Sequence, residues 1–285
     1  MRRREAREPR GQKGWAVTEA ATAQAPVLLE SVREGVLTLR MNRPDRLNAL
    51  NTELGDALAA GVERGAANPA VRVMILTGEG RAFCSGGDLA MIKAYREAGR
   101  AAELEPLLAA GSKLILALRT TEKPVIAAVN GHAAGAGMNV ALGCDLRIAS
   151  EEAMFGQNFT KVGLVPDFGG TYLLPRLVGE ARAAWMFYTG QMISAKEALR
   201  MGAVDYVVPA AEVMPTAETL ARQIAAGPPL AVGAVKRVLF GAQRVELERA
   251  LETEAQQQAR CFASEDCTEG IQAFFEKRAP KFAGK

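Results

Sequence analysis

The chain is short of the residues that most often announce a chemistry. Its four cysteines, Cys84, Cys144, Cys261 and Cys267, show no paired metal spacing, and no metal is expected. No secretory signal is evident, so reduced thiols in a cytoplasmic protein are the default. There is one histidine, His132. The net charge is only +3, with much of the positive balance at the extreme N-terminus. That is too diffuse for a nucleic-acid surface, although a few basic residues suffice to meet a ligand phosphate. No apolar run approaches the ~18–20 residues needed to cross a bilayer, so a soluble protein without a membrane partner is expected. What remains is ordinary: 285 residues, 49% hydrophobic and 24% charged, enough for a sizeable core.

The most informative stretch runs from Lys123 to Thr171. Val125 to Val129 is a short apolar run behind a proline, which suits a buried strand. It breaks into Gly131, Gly135 and Gly137 with alanines between, and helix-compatible sequence follows. A strand, a turn of small residues and a helix start bring free N–H groups to a helix N-terminus, where developing negative charge is stabilised. Gly78 to Leu89 repeats the arrangement after the strand Val71 to Leu76. Two such turns facing one another supply the two donors of an oxyanion hole.

Along the rest of the chain, residues 1–25 are polar without a repeating apolar face and read as a disordered arm; Glu5 and Glu8 argue against a transit peptide. Val27 to Leu29 and Val36 to Leu39 form a hairpin turning at Glu34-Gly35. Asn51 to Gly65 is helical, Val71 to Thr77 a strand, and Leu89 to Leu118 helical with breaks near Gly99 and Gly111. Leu146 to Ala149 and Val204 to Val208 are strands. Ala181 to Thr189 and Ala195 to Met201 are helices closed by Gly190 and Gly202. From Thr216 onward only helices follow: Thr216 to Ala226, Leu230 to Phe240, Val245 to Phe262 and Glu265 to Lys277. The pattern is an α/β core over 26–215 with a helical region over 216–285.

These residues resemble the enoyl-CoA hydratase/isomerase (crotonase) superfamily. The resemblance is carried by N-R-P-D-R-L-N-A-L (42–50), G-R-A-F-C-S-G-G-D-L (80–89), K-P-V-I-A-A-V-N-G-H-A-A-G-A-G (123–137) and C-D-L-R-I-A (144–149). F-G-Q…G-L-V-P-D-F-G-G-T (155–171) and E-G-I-Q-A-F-F-E-K-R-A-P-K-F (269–282) complete it. It implies a spiral of ββα units, a C-terminal helical trimerisation region, and a homotrimer or a hexamer of two trimers. It also implies an acyl-CoA thioester ligand and no separate cofactor. By motif, the oxyanion donors are the amides of Ser85 and Ala136, flanked by Gly86 and Gly135. One well-aimed donor is worth ~2.7–4 kcal/mol of barrier. Arg46, Leu47, Phe274 and Lys277 match positions that meet CoA, and Leu89 lies at the first turn.

The chain departs from the hydratases where they carry two glutamates, holding Asn139 and Phe159 instead. Neither side chain moves a proton at neutral pH. Asp167 is the acid that survives, and the sequence around it resembles the isomerase branches, 1,2-epoxyphenylacetyl-CoA isomerases among them. One carboxylate taking a proton from one carbon and returning it two carbons away suffices for a double-bond shift. A turn role for Asp167, a hydratase-like lyase using this acid alone, and an acyl-CoA binder without catalysis stay open. Asp88 reads as a helix N-cap rather than an acid; Asn139 either contacts substrate or caps a helix. Met138, Phe159 and Tyr172 are expected to make one end of the pocket apolar. His132, Cys84 and Cys144 read as packing residues.

Overall fold

The computed structural model describes residues 25–285; the expected N-terminal arm falls almost wholly outside them. The hairpin is present as β1 (Leu28–Arg33) and β2 (Val36–Met41), antiparallel and turning at Glu34 and Gly35, both with positive φ. Asn51 accepts the Leu54 N–H and so caps α1 (Thr52–Ala67). A repeating unit follows: β3 (Val73–Gly78), β4 (Ala82–Cys84), then α2 (Leu89–Glu97) and α3 (Leu104–Thr120). The next turn is β5 (Val125–Val129), β6 (His132–Ala134) and α4 (Ala136–Gly143). The third is β7 (Leu146–Ser150), β8 (Met154–Gly156) and α5 (Gly170–Val178).

Each turn gives its first strand to one sheet and its second to another. The larger sheet runs β1-β2-β3-β5-β7 and ends in β10 (Tyr206–Val208); the smaller runs β4-β6-β8 and ends in β9 (Met192–Ser194). All pairs between successive turns are parallel. This is the spiral of ββα units, closed by α6 (Glu180–Thr189) and α7 (Ala195–Met201), with Gly190 and Gly202 as left-handed C-caps.

The central strands read as unbroken apolar runs because both faces of the large sheet are covered. Met74 and Leu76 enter the main core, whereas Val73 and Ile75 face α8 (Val213–Ala225) through Val213, Ala217 and Ala221. Three helices complete the chain: α9 (Pro229–Gly241), α10 (Arg244–Ala263) and α11 (Glu265–Glu276). They do not stand apart from the spiral. Leu247, Leu251 and Phe262 of α10 and Ile271 of α11 belong to the main core.

Gly111 does not break a helix. It lies inside α3, and a Cβ there would sit 2.3 Å from the ring of Phe168. The glycine is room for that ring, not a hinge. No single helix among the described residues is long and apolar enough to cross a membrane.

Candidate active site

A cavity of about 290 Å³ opens where the three ββα turns converge. The β4–α2 turn contributes Ser85, Gly86, Gly87 and Leu89, the β6–α4 turn Gly135 and Ala136, and the segment after β8 Asn158, Phe159, Asp167 and Phe168. Three helices close it: α3 brings Leu104 and Leu107, α10 Gln258 and α11 Phe274. Asp167 is the one carboxyl among the described lining residues.

The two turns present unequal amides. The N–H of Ser85 already donates to the Leu47 carbonyl at 3.0 Å, which corrects the expectation that it serves as an oxyanion donor. Two residues later the geometry is different. Leu50 forms a parallel bridge to Gly87, donating to Gly86 O at 2.7 Å and accepting from Asp88 N at 2.8 Å. In such a bridge the flanking residues make the bonds, so the N–H of Gly87 points to the opposite edge, where the cavity lies. Among the described residues it meets no acceptor. The Ala136 N–H is equally free, because Ala136 is the first residue of α4 and has no intrahelical partner. Gly86 lets the turns approach: its φ is +104° and a Cβ would lie 3.0 Å from Ala134 O. Gly87 and Ala136 thus each keep an unpaired N–H among the described residues while lining the cavity.

Asp167 sits on a strained loop. Phe168 and Gly169 both have positive φ, 50° and 74°, and the ring of Phe168 is seated at Gly111. The carboxyl is buried, 8% exposed. Its Oδ2 accepts from Gln258 Nε2 at 2.9 Å, while Oδ1 has no partner among the described residues. Burial pushes its pKa up to about 7, moderated by the Gln258 bond and reinforced by the negative charge of Glu254. A carboxyl poised at that value suits proton transfer near neutral pH.

The loop is held from behind by residues not singled out in the sequence. Buried Glu254 of α10 accepts from Gly169 N at 2.8 Å, Thr171 N at 2.9 Å and Thr171 Oγ1 at 2.5 Å. That carboxylate lies at the N-terminus of α5, where the helix dipole favours it. Gln258, one turn on, accepts the Val165 N–H at 3.0 Å. The signal was present: Leu247, Leu251, Glu254, Gln258 and Phe262 form one buried stripe of α10, and polar side chains on such a stripe have partners.

Asn139 does neither of the things expected of it. Fully buried, it donates to the Asp167 carbonyl at 2.7 Å and accepts from Gln157 Nε2 at 2.6 Å, and Gly135 occupies the cap position of its helix. Met138 lies in the core rather than on the cavity wall, and Tyr172 turns toward α10, bonded to Gln243 O and Glu246. The apolar wall is instead made by Phe159 with Phe168, Leu104, Leu107, Ile92 and Leu164. Asp88 caps α2 through Met91 N and pairs with Arg43 at 2.9 Å, away from the cavity lining. His132 is exposed and accepts the Met154 N–H at 3.1 Å. Cys84 and Cys144 are buried and their thiols are pushed up to about 12, so neither is a nucleophile. Phe274 reaches the cavity mouth, half exposed. Arg46, Leu47 and Lys277 do not line the cavity: Arg46 ends an exposed 3-10 turn, Leu47 is half buried, and Lys277 is the exposed cap of α11. Among the described residues no cluster of three or more metal-ligating side chains occurs.

Residues 31–285 match the sequence profile of the family described as enoyl-CoA hydratase/isomerase. The chain is 40% identical over 259 residues to 1,2-epoxyphenylacetyl-CoA isomerase of Escherichia coli (strain K12), across 90% of this chain and 98% of that protein. It is 39% identical over 264 residues to crotonyl-CoA hydratase of Syntrophomonas wolfei subsp. wolfei (strain DSM 2245B / Goettingen), across 91% and 98% respectively. A solved enoyl-CoA hydratase from Mycobacterium avium subsp. paratuberculosis K-10 superposes with a TM-score of 0.81 at 33% identity, covering 90% of this chain and 98% of that one.

Proposed function

The chain belongs to the enoyl-CoA hydratase/isomerase family, and we propose that within it the protein is an acyl-CoA isomerase that moves a double bond, or opens an epoxide ring, through a thioester enolate. The observation that carries this reading is the lone carboxyl: Asp167 faces the cavity, while Asn139 and Phe159 stand where hydration calls for glutamates. Adding water across a double bond takes a base for the water and an acid for the carbon, whereas a shift of hydrogen takes one group acting twice.

The thioester oxygen lies between the Gly87 and Ala136 amides. Asp167 removes the α-hydrogen of a β,γ-unsaturated thioester, and the negative charge that develops on the oxygen is met by the two N–H groups. Each donor contributes about 2.7–4 kcal/mol in a water-poor site. The same carboxyl then returns the proton to the γ carbon, leaving the α,β isomer. The chemistry needs no cofactor beyond the coenzyme A that the substrate carries. Phe159, Phe168 and Leu107 favour an apolar or aromatic acyl group. Arg46, Leu47 and Lys277 lie outside the cavity, as handles for the CoA portion. Assembly into a trimer or a pair of trimers belongs to this reading, and the exposed Leu230, Val238 and Leu239 of α9 support it.

The test is a panel of β,γ-unsaturated and aromatic-ring CoA thioesters followed by mass and ultraviolet absorbance. Conversion at constant mass, with gain of the conjugated-thioester absorbance, is expected. A product heavier by one water would assign the protein to the hydratases instead, and binding without conversion would make it an acyl-CoA carrier.

A further inference from the structure

We propose that Gln258 is a positioning residue that confines proton transfer to a single oxygen of Asp167, Oδ1, and that Glu254 on the same face of α10 opposes it by keeping the carboxyl ready to take up a proton. The chemical consequence rests on the isomerase reading; the geometry does not.

The Gln258 amide has one orientation. Its side chain is 2% exposed and lies between the Val165 N–H, 3.0 Å from Oε1, and Asp167 Oδ2, 2.9 Å from Nε2. A main-chain N–H only donates, so the amide oxygen must face it and the amide nitrogen must face Asp167. An NH₂ group cannot accept. A proton placed on Oδ2 would therefore meet another donor, and the protonated acid must carry its hydrogen on Oδ1. That oxygen is buried and without a hydrogen-bond partner among the described residues, so no protein donor or acceptor competes for the proton there. In each cycle Oδ1 accepts the α-proton as the C–H pair moves into the enolate, then gives it back as the γ C–H bond forms. Oδ2 stays bonded to Gln258 throughout.

Glu254 stands one helical turn before Gln258 and holds the far side of the loop through Gly169 and Thr171. The two side chains thus grip the loop on both sides of Asp167. Electrically they act in opposite senses. A donated hydrogen bond favours the carboxylate, and a nearby negative charge favours the acid. The charged groups near Asp167 are Glu254, from α10, and Lys161, which also lines the cavity.

The experiment reads the Asp167 carboxyl itself, by infrared difference titration of the full chain against Asp167→Asn, without substrate. Gln258→Leu should raise the midpoint by roughly half a unit or more and Glu254→Gln should lower it. The acid limb of the isomerisation rate should move in the same two directions, with KM little changed. Where Gln258→Leu fails to fold, as judged by circular dichroism, Gln258→Met of similar volume takes its place. Opposed shifts in two folded variants support the proposal, even if no thioester is turned over, in which case only the isomerase reading fails. Absent shifts, or shifts of the same sign, overturn it, since residues that merely pack would not move the midpoint in opposite directions.

Discussion

Replacing Asp167 by asparagine should make the protein less sensitive to alkaline pH. The folded carboxyl titrates near 7 against an ordinary value of 3.8, chiefly because it is buried. A raised pKa means that the fold favours the protonated acid. Its contribution is fully present below the unfolded value and is lost as pH rises through about 7. The unfolded chain ionises near 4, so between those values it releases a proton that the folded chain keeps, and folding stability falls. At ~1.36 kcal/mol per unit, the whole loss is about 4 kcal/mol, of which about 2–3 kcal/mol falls between pH 5 and pH 8. Asparagine has no such proton and can still accept from Gln258 through its amide oxygen. The difference in stability between variant and wild type should therefore grow by about 2–3 kcal/mol from pH 5 to pH 8, which at ~2–4 °C per kcal/mol is a relative gain in Tm of roughly 5–10 °C. Thermal unfolding of both proteins across that range measures it, and titrations of groups not coupled to Asp167 cancel in the comparison. Parallel curves would refute the buried, uncharged-favouring environment on which the acid/base role depends.

Gly111→Ala should be destabilising by about 1–3 kcal/mol in urea unfolding, because a Cβ at 2.3 Å displaces the Phe168 ring; activity should fall further than stability, since Phe168 is the neighbour of Asp167. Ala136→Pro removes one oxyanion N–H at the first position of a helix, where proline is tolerated. It should fold, by circular dichroism, yet lose about 10²–10³-fold in kcat; an unchanged kcat would remove that amide from the mechanism.

Much of the large sheet was legible because strands buried on both faces carry continuous β-branched and aliphatic runs, as Val125–Val129 does. The small sheet was not: Ala82–Cys84, His132–Ala134 and Met154–Gly156 are three residues each, too short to show a period. The glycine turns announced free backbone N–H groups but not which amides stay unpaired. Ser85 and Gly87 both lie in the right motif, but the chain turns at Gly86, whose φ is +104°, and only the pairings separate them: Leu47 takes the Ser85 N–H, whereas Leu50 bonds Gly86 and Asp88 and leaves that of Gly87 unpaired among the described residues. Gly111 looked like a helix break because the ring that fills its space is 57 residues away in the chain, at Phe168. Glu254 and Gln258 share helical spacing with the apolar Leu247, Leu251 and Phe262. Their partners, Gly169, Thr171, Val165 and Asp167, come from a distant loop, a pairing that no local pattern reveals.

The most direct test of the mechanism is the conversion of a β,γ-unsaturated acyl-CoA by wild type and by Asp167→Asn at pH 8. Wild type should yield the α,β isomer at unchanged mass, and the variant should bind the thioester while losing about 10²–10⁴-fold in rate. A hydrated product, or a variant as fast as the wild type, would contradict a single aspartate working beside two backbone amides.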